Sequence, residues 1–212
     1  MTCCSLCDHP TLPYYEDDQR SWSRCTQCEA ILLDSQHHLT AAEEHQRYDL
    51  HHNDVFDPRY RQFTNPISSA VCNDFQKDAL GLDYGCGPGP VIAQVLKERG
   101  YTIELYDPFY HKDDSVLQLT YDFIVCSEVV EHFFEAKSEF HRLQSLLKPQ
   151  GKLYIMTALF DANTIDFSDW YYKDDPTHVI FYTLKTFDYI EGAFGFSSHC
   201  VSDRLITFDK II

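Results

Sequence analysis

From residue 79 onward, short apolar runs alternate with stretches whose apolar positions recur at helical spacing, the pattern of a sheet whose strands are joined by helices. The runs predict strands over residues 81–84, 101–106, 121–126 and 152–157, and residues 116–119 fit an abbreviated edge strand. Helices are predicted over 90–99, closed by Gly100, over 137–147, and over 183–191. Residues 197–201 and 204–208, separated by a short turn, read as a terminal antiparallel pair. The expected fold class is α/β, a Rossmann-like sheet that ends in two antiparallel strands.

Two earlier segments break this alternation. Residues 1–36 contain Cys4-Ser-Leu-Cys7 and Cys25-Thr-Gln-Cys28, with 17 residues between the pairs. Each pair can offer two thiolates from one tight turn, and together they complete a tetrahedral Cys₄ zinc site. Cys3, beside Cys4, could replace it as a ligand. Tyr14-Tyr15 and residues 21–24 read as a hairpin between the knuckles. So short a segment buries little core unaided, so the zinc is expected to be structural, with all four positions filled by protein. Residues 37–78 are polar and rich in His, Tyr and Arg, with Thr40 and Glu43 spaced as a capping box. They are expected to form a helical linker or lid carrying His51 and His52. The expected division is a zinc ribbon (1–36), this linker (37–78) and the main domain (79–212).

Composition narrows the partners. The net charge of −16 over 212 residues is spread across all three segments, so nucleic acid is an unlikely partner and a small molecule is favoured. No apolar run is long enough for a membrane span, and a cytoplasmic location is expected. The nine cysteines then read as metal ligands or buried thiols. Cys86 and Cys126 suit packing.

The chemistry centres on Gly85-Cys86-Gly87-Pro88-Gly89, set between a strand and a helix N-terminus as a cradle for a nucleotide-like cofactor. A dinucleotide site calls for GxGxxG, whereas this turn is GxGxG with prolines flanking its last glycine. Glu128, Glu131 and His132 are spaced to share one face of a helical turn just past a strand end. The block 170–182 brings His178 toward the same rim. Glu128, Glu131, His132 and His178 could hold one divalent cation, or His178 could act as a metal-free general base.

With these elements placed, residues 40–212 resemble the class I S-adenosylmethionine-dependent methyltransferases, and the chain is most similar to a small-molecule group with an N-terminal zinc ribbon. Four motifs carry the resemblance: Leu82-Asp83-Tyr84-Gly85-Cys86-Gly87-Pro88-Gly89, Asp107 at the second strand's end, residues 121–125 followed by Glu131-His132, and Leu146-Leu147-Lys148-Pro149-Gln150-Gly151. The resemblance implies cofactor contacts from Asp83, Gly85, Cys86, Gly87, Gly89, Asp107, Ser127 and Glu128. Loop amides would face the methionine portion, Asp83 would attract its ammonium, and Asp107 would accept from the ribose hydroxyls. Glu131, His132 and His178 would be catalytic. The Glu-x-x-Glu-His group with a later His is similar to that of ubiquinone-pathway O-methyltransferases and small-RNA 2′-O-methyltransferases, which implies a metal that activates a hydroxyl. The implied reaction is O-methylation of a small metabolite. One departure stands out. Only 13 residues separate Asp107 from Tyr121, too few for the helix, third strand and adenine-contacting acid usual there. The alternatives are a methyltransferase-like protein that docks a macromolecule through its ribbon, and an enzyme acting on RNA or protein.

Overall fold

The computed structural model describes residues 2–50, 54–202 and 204–211, so His51 and His52 lie outside the described residues. The N-terminal segment forms an antiparallel meander of β1 (Thr11–Glu16), β2 (Ser21–Cys25) and β3 (Ile31–Leu33), in which β1–β2 is the expected hairpin. Helix α1 (Ala41–Tyr48) starts at the expected capping box, with Thr40 and Glu43 each bonding the other's backbone amide. Helix α2 (Pro58–Asp74) is capped by Asp57 and carries Pro58 at its first turn, where a missing N–H costs nothing.

The main sheet follows: β4 (Leu80–Tyr84), α3 (Val91–Glu98), β5 (Thr102–Tyr106), β6 (Tyr121–Ser127), α4 (Ala136–Leu146) and β7 (Leu147–Met156). After β8 (Ile180–Phe181) and α5 (Leu184–Phe194), the terminal pair β9 (Phe196–Ser202) and β10 (Leu205–Lys210) completes it. Strand order is β5-β4-β6-β7-β10-β9, with β5 to β7 parallel and β10 antiparallel to both neighbours. The expected α/β class and terminal antiparallel pair are both present. Leu82, Ile124 and Phe140 pack on one face of this sheet, and Ile92, Leu96 and Phe123 on the other. Burial on both faces is why the central strands read as continuous apolar runs.

A second sheet, β1-β2-β3-β8, ties the N-terminal segment to the later part of the chain, with Ile31 opposite Phe181. Trp22 and Ile31 share an apolar cluster with Phe160, Phe167 and Trp170. The cysteine-bearing segment is thus held by strand pairing as well as by packing.

The edge strand expected at 116–119 is instead a 3₁₀ turn, Val116–Gln118, pinned by Tyr121 Oη donating to the Val116 carbonyl (2.6 Å). Thirteen residues leave no room for both a strand and a crossover helix. Strand β5 is therefore the sheet edge, and no helix lies between β5 and β6. Among the described residues no helix is long and apolar enough to cross a membrane.

Candidate active site

Strands β4, β5 and β6 end on one rim, and the glycine turn follows β4 there. Gly85 has φ +76°, and a Cβ on it would lie 2.6 Å from both Cγ atoms of Val129, so the position excludes any larger residue. The loop amides do not all point outward as expected. Gly85 and Cys86 donate to the Tyr106 carbonyl (2.8 and 3.2 Å), and Gly87 donates to Asp107 Oδ2 (2.9 Å). The turn spends these donors on tying itself to the end of β5. Asp107 Oδ1 accepts from the Phe109 and Tyr110 amides (2.9 and 3.0 Å), so its carboxylate is held in one orientation.

Gly85, Cys86, Gly87, Asp107, Ser127 and Glu128 line a cavity of about 860 Å³, within the range of small-ligand sites. Ser127 Oγ is buried with no hydrogen-bond partner among the described residues, a polar atom suited to a ligand. Gly89 is not part of the lining. Asp83, also outside it, is 4% exposed and accepts from the Ala93 amide of α3 (3.2 Å).

Burial raises the Asp83 carboxyl to about 7, with the Asp107 charge pushing the same way. Between the ordinary value of 3.8 and about 7, the folded chain therefore holds a proton that the unfolded chain has lost. Stability contributed by this group is complete below that window and falls as pH rises through it. Asp83→Asn, which keeps the acceptor for Ala93 and removes the charge, is expected to be more stable than the unaltered protein at pH 8, on the order of 3 kcal/mol. Thermal melts across pH 4–8 check this: the two proteins should converge toward pH 4, and a gap independent of pH refutes the assignment.

Helix α1 closes one side of the cavity. His45 stacks on Phe109 (5.2 Å, 12°), and the Tyr48 ring stands edge-on to His132 (5.4 Å, 87°). Arg47 reaches Asp175 across the opening (3.3 Å).

At this end three of the four expected cation ligands come together. Ligand atoms of Glu131, His132 and His178 all lie within 4.8 Å of one another. His132 Nδ1 bonds the Thr177 carbonyl (2.9 Å) and His178 Nδ1 bonds the Tyr172 carbonyl (2.7 Å). Each Nδ1 must therefore carry the proton, which leaves both Nε2 lone pairs for a metal or a substrate proton. Burial lowers His132 and takes His178 down to about 4, with His132 a second cause for the latter, so both rings are neutral near pH 7. Glu131 is fully buried, accepts from Tyr172 Oη and from Thr157 Oγ1 (3.1 Å), and is raised to about 7 by burial.

Glu128 departs from the expected shared face. Its φ of +54° breaks the turn, and only Val130–His132 forms a 3₁₀ helix. Arg204, in the turn between β9 and β10, holds both Glu128 oxygens (2.7 and 2.8 Å). The carboxylate therefore faces a guanidinium and is not among the clustered ligand atoms, although Tyr172 Oη, which donates to Glu131, also donates to Glu128 Oε2 (3.3 Å). No local signal in the sequence links a hairpin-turn arginine to a residue 76 positions away. The roles of Tyr48 and Arg47 were equally hidden, although Asp57-Pro58 marks the start of the following helix.

Cys4, Cys7, Cys25 and Cys28 converge as expected, all buried and none in a disulfide. Their Sγ atoms lie 3.3–3.6 Å apart across the knuckles, close to the ~3.8 Å edge of a tetrahedron with metal–sulfur bonds of about 2.3 Å. Gln27 N donates to Cys25 Sγ (3.4 Å). Cys3 is exposed and outside the cluster, bridging Pro10 instead, which leaves Cys4 as the fourth ligand candidate.

The sequence model of a family described as a methyltransferase domain matches residues 53–201. Among solved structures, the chain is similar to a Burkholderia thailandensis 1,6-didemethyltoxoflavin-N1-methyltransferase with bound 1,6-didemethyltoxoflavin and S-adenosylhomocysteine, at a TM-score of 0.58 and 16% identity over 94% of this chain and 99% of that one. It is also similar to an O-methyltransferase family protein from the same organism (TM-score 0.54, 14% identity, 79% of this chain and 62% of that one). Human N-acetylserotonin methyltransferase in complex with SAM is a third (TM-score 0.54, 13% identity, 72% and 54%). The chain thus spans less than two thirds of the length of the latter two. At these identities the likeness is one of fold. No curated protein matches the chain.

Proposed function

The chain belongs to the methyltransferase-domain family, and on that premise we propose that it carries a methyl group from S-adenosylmethionine to a hydroxyl of a small metabolite. One observation carries this reading: a single cavity is lined at one end by the glycine turn and Asp107 and at the other by His132 and His178. A sulfonium cofactor suits the first end, where Asp107 is held by three amides with an acceptor site left on Oδ2 for a ribose hydroxyl and Ser127 Oγ lacks a partner. Tyr48, Phe109 and Tyr172 give the second end flat walls that suit an aromatic acceptor.

Glu131, His132 and His178 suit a divalent cation, because each imidazole is oriented by a backbone carbonyl behind it and the carboxylate by Tyr172 and Thr157. Such an ion would lower the pKa of an acceptor hydroxyl. The protein's own part is positional. It would keep Nε2 of His178 unprotonated beside the acceptor, hold the acceptor in line with the methyl group, and exclude water behind α1. The four-cysteine cluster we read as a structural zinc site, since four protein thiolates would leave no open position.

The test is incubation with methyl-labelled S-adenosylmethionine and a panel of hydroxylated aromatics, with and without a chelator. Label is expected in methyl ethers. Label on nitrogen, or no S-adenosylhomocysteine formed with any hydroxyl acceptor, sinks the reading. Asp107→Ala is expected to weaken S-adenosylhomocysteine binding at least about tenfold by calorimetry, through loss of charge-assisted hydrogen bonds.

A further inference from the structure

The cofactor reading leaves the purine ring without a partner, because the segment expected to supply one is reduced to the 3₁₀ turn at Val116–Gln118. With no crossover helix between β5 and β6, the sheet face at the ends of β4 and β5 is open beside α4. Tyr84 and Tyr106 stand there with ring centroids 5.1 Å apart and planes tilted by 31°. Phe133 stands edge-on to Tyr84 (6.4 Å, 83°).

Two charged residues of α4 reach the same place. Tyr84 Oη donates to Glu139 Oε2 (2.5 Å), and Arg142 Nη1 contacts both Tyr84 Oη (3.0 Å) and Glu139 Oε1 (2.7 Å). The buried phenol braces the pair, so a carboxylate and a guanidinium sit side by side in fixed positions. Neither is sealed off, with side-chain exposures of 20% for Glu139 and 43% for Arg142. All five residues line the same cavity as Asp107, and Tyr106 immediately precedes Asp107 in the chain.

We propose that this recess receives the adenine of S-adenosylmethionine, with Glu139 accepting from the 6-amino group and Arg142 donating to an adjacent ring nitrogen. The assignment rests on the cofactor reading above. Adenine presents a donor beside an acceptor on one edge, and a carboxylate beside a guanidinium is the complementary pattern. Each Glu139 oxygen has a second lone pair beyond those used by Tyr84 and Arg142, and Arg142 uses only Nη1 in these contacts. The aromatic rings offer faces and edges against which a purine packs. On this account α4 supplies the contact that a third strand would otherwise have brought.

The experiment compares calorimetric binding of S-adenosylhomocysteine and S-inosylhomocysteine, whose purine carries a carbonyl in place of the amino group. The unaltered protein should prefer the adenosyl form by about tenfold or more, the penalty for a mismatched hydrogen bond to a charged group. Glu139→Gln, close in shape and able to donate to the inosyl carbonyl, should reduce that ratio severalfold. Asp107→Asn should weaken both ligands and leave the ratio unchanged. If the unaltered protein binds both ligands equally, or if Glu139→Gln leaves the ratio intact, the adenine assignment fails while the cofactor reading stands. If the unaltered protein binds neither ligand, the cofactor reading fails and takes the assignment with it.

Discussion

Replacing His178 with alanine is expected to lower methyl transfer by about 10²-fold or more while S-adenosylhomocysteine binds as in the unaltered protein. The reason lies in the geometry at the acceptor end. His178 is 8% exposed, its Nδ1 is tied to the Tyr172 carbonyl at 2.7 Å, and its Nε2 shares a cluster with Glu131 and His132. Removing the ring takes away either a metal ligand or the base for the hydroxyl proton, and neither role touches the glycine turn. Glu131→Gln should act similarly, because Glu131 is the one carboxyl ligand in that cluster. Chelation separates the two roles. With a cation, the unaltered protein loses turnover in chelator and regains it with added divalent metal. With His178 as a lone base, a chelator too weak to strip the cysteine-bound zinc changes nothing. The measurement is single-turnover formation of S-adenosylhomocysteine beside calorimetric binding. Unchanged turnover in His178→Ala would remove this end of the cavity from the reaction.

The second large effect concerns the cysteine cluster. Cys28→Ser is expected to abolish binding of one zinc equivalent and to lower the melting temperature by more than about 10 °C. Cys28 is fully buried, and Cys4, Leu6 and Ala30 share one apolar cluster with Val179, Tyr182 and Phe187 of the later chain. The damage should also reach the candidate site. Leu33 N donates to the Val179 carbonyl (3.0 Å), and Val179 N donates to the Glu131 carbonyl (2.9 Å), so one residue bridges β3 and the Glu131 turn. Elemental analysis, melting curves and turnover on the same preparation check this. A variant that loses zinc yet melts and turns over normally would make the metal incidental.

The α/β sheet and the positions of its strands were legible in the sequence, because a parallel strand buried on both faces must be apolar throughout and a helix must keep its 3.6-residue stripe. The Thr40 capping box, the paired CxxC knuckles and the glycine turn were legible for the same kind of reason, since each acts over a few neighbouring residues. Residues 116–119 fit a strand by composition because a short apolar run carries no period that separates strand from turn, whereas Val116–Gln118 forms a 3₁₀ turn. Spacing by i and i+3 places Glu128 on one face with Glu131 only within a helix, and φ +54° at Glu128 denies one.

What the sequence by itself determined is therefore local: the class of sheet, the Asp83–Gly89 turn, the cysteine pairs, and the residue types available for chemistry. The tertiary structure alone decided who faces whom. It pairs β3 with β8, 150 residues apart at Ile31 and Phe181, turns Glu128 toward Arg204, and sets Glu139 and Arg142 in the recess beside Asp107. Those relations depend on charges and side chains meeting across the fold, and no periodicity along the chain encodes them.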